Sequence, residues 1–259
     1  MRGKCALITG STAGLGFVIA DRLAAEGCHI VLNGLAAPED AQRARDDLAR
    51  KHGVDVRFHG ADLSVPTRIA ELMQFGADGL GGIDILVNNA VVRHFAPIED
   101  FPVERWDEAL AVNLSAAFHT IRLALPKMRL RGWGRIINLA SVYSFVGAVN
   151  RIDYVTTKTA ILGLTRAVAL ETAGAEITCN AIAPGVLPTP AILARLESIA
   201  RDQGISTEQA TRDYLIDRQP GGKFVPMENV AALVAFLCGQ GSQGITGAVF
   251  PVDGGWTIN

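Results

Sequence analysis

A phenol and an ammonium stand four residues apart at Tyr154 and Lys158. On a helix that spacing puts both side chains on one face, a single turn apart. A free tyrosine gives up its proton near ~10, too high for a base at neutral pH. A cation held alongside favours the phenolate and brings that value down. The pair can then exchange a proton with a substrate hydroxyl or carbonyl held beside it. Ser141 follows the apolar run from Arg135 to Ala140. That run reads as a strand, and ligands of parallel α/β sheets bind beyond the C-terminal ends of strands. A Y-x-x-x-K pattern is common on helix surfaces by chance, so its meaning rests on the elements that would position it.

Those elements begin with Lys4 to Thr9, a short apolar run that reads as a buried strand. Gly10-Ser11-Thr12-Ala13-Gly14-Leu15-Gly16 follows, then a helical run to Glu26 closed by Gly27. Strand, glycine turn and helix in that order predict a dinucleotide site. The glycines let the backbone approach a pyrophosphate, and the helix N-terminus offers free N–H groups and its positive dipole end. Ile30 to Asn33 is a second strand, and the residue ending it faces the adenosine ribose in such folds. Asn33 can hydrogen-bond ribose hydroxyls. No Arg or Lys follows closely to hold a 2′-phosphate, and Ala13 in the turn is not basic. The expected cofactor is NAD rather than NADP.

A helix spans residues 38–52, with Pro38 at its start, Glu39 and Asp40 in the first turn, Lys51 and His52 in the last and Gly53 after it. Val54 to Phe58 alternates as a third strand. Of the Asp62-Leu63 pair behind it, Asp62 either accepts from an adenine amine or caps the next helix. Ile83 to Val87 is a fourth strand leading into Asn88-Asn89-Ala90. Arg105 to Arg129 reads as one helix holding Asn113, a poor mid-helix residue that signals a kink, a polar role or a tolerated surface position. Arg135 to Ala140, a helix from Tyr154 to Leu170, and a strand from Ile177 to Ala181 running on to Pro184-Gly185 continue the alternation. The pattern predicts one α/β domain over residues 1–259, doubly wound, with a mostly parallel sheet flanked by helices. Residues 188–224 interrupt it with two helices, opened by Thr189-Pro190 and by the capping box from Ser206 to Gln209. Placed after a strand's C-terminal end, they suit a lid over the site, or else a packing or subunit contact. A helix over Val230 to Cys238 and a strand over Ala248 to Val252 close the chain.

Composition narrows the partners. With a net charge of −2 the chain gives no electrostatic reason to expect nucleic acid. No run approaches the ~18 apolar residues of a membrane helix, and no signal peptide is visible at Met1 to Leu7. Cys5, Cys28, Cys179 and Cys238 are scattered without C-x-x-C spacing and read as small buried hydrophobes of a reduced, cytoplasmic protein. The five histidines lack ligand spacing, so no metal site is expected.

Thr-Gly-x-x-x-Gly-x-Gly at 9–16, Asn-Asn-Ala at 88–90, Asn113, Ser141, Tyr154 with Lys158, and Pro184-Gly185 together resemble the short-chain dehydrogenase/reductase family. Six motifs in register cover essentially the whole chain. The resemblance implies a hydride-transferring oxidoreductase with a seven-stranded Rossmann sheet, usually a homotetramer. It implies Tyr154 as acid/base, Lys158 on the nicotinamide ribose and lowering the tyrosine pKa, and Ser141 orienting the substrate oxygen. Asn113 would hold a relay water against Lys158. The cofactor would lie along Gly10, Ser11, Thr12, Gly14, Leu15, Gly16, Asn33, Asp62, Leu63, Asn89, Ala90, Tyr154, Lys158, Pro184, Gly185 and Val186.

Within that family, Val31 to Gly34, Ile98 to Pro102, Ala169 to Gly174 and Val252 to Thr257 resemble the bacterial 3-hydroxybutyrate dehydrogenase branch, where Asn-Gly after the second strand goes with NAD. The implied substrate is a short anionic hydroxy acid and its oxo acid, bound by Arg93, Ser141, Tyr143, Arg151, Arg195 and Trp256. The branch has Gln, His, Lys and Gln where this chain has Arg93, Tyr143, Arg151 and Arg195, a Trp where it has Val186, and a Gly where it has Val91. Arginine offers a planar fork of donors that fits carboxylate, sulfonate or phosphonate oxygens. Three like charges repel unless anions answer them. Either the substrate is more anionic than a hydroxybutyrate (a sulfonate, phosphonate or dicarboxylate hydroxy acid), or acids such as Asp153 and Glu197 neutralise the arginines. Two further readings stay open: a non-catalytic dinucleotide sensor, and a reductase of bulkier carbonyls.

Overall fold

The computed structural model describes residues 1–259, with side-chain surroundings for all but Gly79. Seven strands, β1 (Cys5–Ile8), β2 (His29–Asn33), β3 (Val56–His59), β4 (Ile85–Asn88), β5 (Trp133–Leu139), β6 (Glu176–Pro184) and β7 (Val249–Val252), form one sheet in the order β3-β2-β1-β4-β5-β6-β7. Every neighbouring pair is parallel, so the sheet is wholly rather than mostly parallel. The central strands are apolar and buried on both sides, as a parallel sheet covered by helices requires. Along β1 the side chains alternate between two cores. Ala6 and Ile8 join the layer under α1 (Gly14–Ala25), α2 (Pro38–His52) and α9 (Met227–Cys238). Cys5 and Leu7 join the layer under α3 (Pro66–Leu80), α5 (Ala116–Arg131) and α6 (Ile152–Glu171). Burying a Leu or Ile this completely contributes roughly 1.5–3 kcal/mol each.

Two features of this frame position a site. The chain leaves β1 for β2 and β3 on one side and returns to β4 on the other. The turns after β1 and β4 therefore face one crevice at the point where strand order reverses, which is where ligands of open α/β sheets bind. The second feature is a buried row of polar side chains running across the sheet. Thr120 on α5 donates to Asn88 at 2.8 Å, Asn88 to Asn138 at 2.9 Å, and Asn138 to Thr165 on α6 at 2.9 Å. Each member is satisfied, so the row holds α5, β4, β5 and α6 in one arrangement.

The helix expected over 105–129 is two helices, α4 (Val103–Leu110) and α5, joined by a π-helical turn at Ala111–Ser115. Asn113 lies in that turn, so its unsuitability for a regular helix marks a real break. The inserted segment forms α7 (Pro190–Gln203) and α8 (Thr207–Ile216), capped by Thr189 and Ser206 through their hydroxyls. All four cysteines are free and buried, and burial pushes the Cys5 and Cys179 thiols up to about 12. Among the described residues, no helix is long and apolar enough to cross a membrane.

Candidate active site

Helix α6 carries Tyr154 and Lys158 on one face, both buried. Its start is fixed from outside. Asn150 takes a left-handed backbone, φ 60°, which Asn tolerates better than most residues, and Arg151 is the N-cap. The Asp153 carboxylate accepts from its neighbour Tyr154 N at 2.6 Å and from His94 N at 3.1 Å, tying the first turn to the loop behind β4. Lys158 Nζ donates to the main-chain oxygen of Leu139 at 2.5 Å and lies 5.7 Å from the centre of the Tyr154 ring. Ser141 lies two residues beyond the end of β5 and caps a short 3-10 turn at Val142–Ser144, accepting from Tyr143 N at 3.2 Å. Ser144 Oγ donates to the Lys158 carbonyl at 2.7 Å, so the serine segment and the helix are fastened together.

The electrostatics favour an ionisable phenol. Burial alone would raise the Tyr154 pKa. The Arg93 charge, the Lys158 charge and hydrogen bonds from Ser141 and Arg93 outweigh it, and the value falls from 10.0 to about 8. Lys158 is lowered by burial, opposed by the charge of Tyr154 and assisted by that of Arg93.

Asn113 is brought beside this group, but its amide is already occupied. It accepts from Val92 N at 2.8 Å and donates to Val92 O at 3.0 Å and to Thr157 Oγ at 3.4 Å. Its side chain thus braces the loop behind β4, and a water held against Lys158 would have to use its main chain instead. Val91 causes no strain, because among the described non-glycine residues only Asn150 has positive φ.

The switch-point crevice fits a dinucleotide. Gly10 has φ +60°, and a Cβ there would lie 2.9 Å from Ala90 Cα; at Gly16 a Cβ would run into Gly10 O, and both must be glycine. Helix α1 has no side-chain cap and no acid in its first turn, which leaves its N–H groups and dipole for an anion. Asn89 donates to Thr9 O at 2.8 Å and Gly10 O at 2.9 Å, and so clips the glycine turn to β4. Thr12, Gly14 and Leu15 are half-buried along that turn, and Leu63, Ala90 and Lys158 line the crevice with Asn113. Asp62 accepts from Ser64 N and Oγ at 2.8 and 2.7 Å, a local turn ahead of α3, whose N-cap Val65 carries no side-chain cap. Ser11 is fully buried and spent on Ile8 O and Asn33 N. Asn33 is equally tied up. Its amide donates to His59 O at 3.0 Å and Ala61 O at 3.1 Å, so it braces the end of β2 and has no donor left for a ribose.

Gly185 follows Pro184 at the end of β6, and a Cβ there would lie 2.9 Å from both Asp253 Cα and Gln219 Oε1. Val186 N donates to Gln219 Oε1 at 2.5 Å, and Gln219 Nε2 donates to Lys223 O, latching the far end of the 188–224 segment to this turn. Its near end, Pro190, lies against Gly14.

The three pocket arginines converge. Arg93 lies 5.3 Å and Arg151 4.6 Å from the centre of the Tyr154 ring. Arg151 and Arg195 lie 4.1 and 4.6 Å from the centre of one further ring, Phe95. Tyr143 packs edge-on against Tyr154 and Trp256, with centres 6.0 and 5.4 Å apart. Among the described residues none of the three arginines is in a salt bridge. Of the acids weighed against them neither makes a salt bridge: Asp153 is turned to main-chain N–H groups, though its charge still favours a charged Arg151, and Glu197 is exposed. Sequence reasoning missed Phe95, Gln219 and the Leu139 carbonyl. Phe95 left one usable signal, an aromatic two residues from Arg93.

A family model described as Enoyl-(Acyl carrier protein) reductase matches residues 10–257. A D-beta-hydroxybutyrate dehydrogenase of Cupriavidus necator is 45% identical over 257 residues, 99% of this chain and 98% of that protein. The chain belongs to the short-chain dehydrogenase/reductase family. A second D-beta-hydroxybutyrate dehydrogenase, from Rhizobium meliloti, is 46% identical over 254 residues, 98% of each chain. The L-sorbose reductase of Gluconobacter frateurii, solved with NADPH and L-sorbose, superposes with a TM-score of 0.96 at 30% identity, covering 100% of this chain and 98% of that one. As a short-chain dehydrogenase/reductase this protein is an oxidoreductase, and the resemblance read from its motifs holds over the full length.

Proposed function

We propose that the protein interconverts a short anionic hydroxy acid, of the 3-hydroxybutyrate kind, and its oxo acid, with NAD as cofactor and Tyr154 as acid/base. The observation that carries this reading is the buried Tyr154, with Lys158, Arg93 and Arg151 all within 6 Å of its ring. The D-beta-hydroxybutyrate dehydrogenase relatives support the substrate class. The NADPH-bound neighbour supports a pyridine nucleotide.

A bound nicotinamide supplies the acceptor for the hydride that leaves the carbinol carbon. The ionised Tyr154 oxygen takes the hydroxyl proton, and the same phenol returns it in the reverse direction. Ser141 donates to the oxygen as its charge develops, a stabilisation aimed at the transition state. Lys158, held on Leu139 O, keeps a positive charge beside the phenolate. Arg151 and Arg195 hold the acid group, a positioning effect. Residues 188–224 close over the substrate as a lid, with Arg195 as its contribution to the pocket. NAD is favoured over NADP by the cleft beyond Gly34. It encloses about 300 Å³, and among the described residues its only cation is Arg45, which already makes two hydrogen bonds to Asp46.

The test is Tyr154→Phe, which removes the proton carrier and leaves the ring. NADH binding, read by fluorescence, should be retained while turnover drops by roughly 10²–10⁴. A variant with full activity would remove the assignment.

A further inference from the structure

We infer that the acid group of the substrate is a three-oxygen oxyanion, a sulfonate or phosphonate, seated between Arg151 and Arg195. This rests on the hydroxy-acid reading above and narrows it.

Arg151 rises from the N-cap of α6, and Arg195 reaches over from α7 in the lid segment. Both guanidinium carbons lie close to the Phe95 ring, which offers no acceptor. Neither guanidinium makes a salt bridge or donates a hydrogen bond to a protein atom among the described residues, and Arg151 Nε is buried without a partner. Arg93 sits by the Tyr154 ring, 5.3 Å from its centre, where its charge acts on the phenol. Two forks of about five N–H donors each therefore await acceptors from outside the protein. A carboxylate has two oxygens in one plane, so one fork can engage both of them edge-on and another is left only the outer lone pairs. A second fork arriving from a different element gains a pair of oxygens of its own only where one lies out of that plane. A tetrahedral head group supplies it, giving each fork a pair of oxygens with one shared.

The experiment compares kcat/KM with NAD for three acids that share one carbinol: 3-hydroxybutyrate, 2-hydroxypropanesulfonate and 2-hydroxypropylphosphonate. The sulfonate and the phosphonate should both exceed the carboxylate by about 10-fold or more, the worth of one added charge-assisted hydrogen bond. A gain for both assigns the effect to the third oxygen, and a phosphonate-only gain assigns it to the second charge and overturns the three-oxygen seat. Arg195→Lys keeps the charge and loses the fork, so it should erase the preference while NADH binding is unchanged. Equal or better turnover of 3-hydroxybutyrate overturns the inference, as does an equal loss for all three acids in Arg195→Lys. Binding of butyrate, propanesulfonate and propylphosphonate to the NADH complex reads the acid site without turnover. Tighter binding of the three-oxygen acids with no oxidation of any carbinol would sink the hydroxy-acid reading and leave the anion site standing; tighter butyrate binding would sink the anion site alone.

Discussion

The guanidinium carbon of Arg93 lies 5.3 Å from the centre of the Tyr154 ring, closer than the 5.7 Å of Lys158 Nζ. Arg151 is nearer still at 4.6 Å, but the charges that lower the phenol's pKa come from two different elements, Lys158 on its own helix and Arg93 on the loop behind β4. The Y-x-x-x-K spacing accounts for only the first.

The pH dependence follows from that pair. The Tyr154 pKa is brought down to about 8 although burial opposes it. With the phenolate as the proposed base for oxidation, kcat/KM for the hydroxy acid should rise with pH through about 8, and that for the oxo acid should fall through the same range. In Arg93→Gln both midpoints should move up, toward the ordinary tyrosine value near ~10. Steady-state pH profiles in the two directions check this, and an unmoved midpoint would remove Arg93 from the tuning of Tyr154.

Asn33 should not behave as a ribose selector. Its amide nitrogen points at two carbonyls, His59 O and Ala61 O. In Asn33→Asp a carboxylate would meet those oxygens without a donor, at a cost of roughly 1–3 kcal/mol. Thermal unfolding should show Tm lowered by about 2–4 °C per kcal/mol. The opposite result, a stable variant with tighter NAD binding, would restore the ribose role.

Phe95→Ala removes the ring that Arg151 and Arg195 share. Cation–π contacts at partly exposed sites contribute ~0.5–2 kcal/mol, so KM for the acid should rise by roughly 3- to 30-fold. KM for NAD should not change, because Phe95 touches the acid side of the pocket. Parallel increases in both constants would argue for a folding defect instead.

Asn113→Ala leaves Val92 N and O without their side-chain partner. Loss of roughly 1–3 kcal/mol of stability is expected, with a fall in kcat as the loop behind β4 loosens. Paired calorimetry and single-turnover kinetics separate the two effects.

Much of this was legible in the chain itself, for local reasons. Tyr154 with Lys158, the turn from Gly10 to Gly16 and the break at Asn113 each follow from spacing or propensity within one element. The alternation of strands and helices led to the doubly wound sheet because connections in such folds are short and one-handed. Pairings between distant segments were not legible. Asn33 lost its donors to the loop behind β3, Asp153 was claimed by His94 N, and Gln219 took Val186 N across the end of β6. The convergence of Arg93, Arg151 and Arg195 depends on three separate elements meeting. Matching positions suggested it, and only the fold puts Phe95 beside two of them.

The Asn89 clip on Thr9 O and Gly10 O has a consequence for how the protein is made. A ribosome extrudes the glycine turn first, yet that turn is fastened only through Ser11 and Asn33 until Asn89 has emerged and its strand has docked beside the first. Nascent chains halted before that asparagine should therefore be blind to nucleotide, and those halted after it should begin to protect the loop from proteases when nucleotide is added.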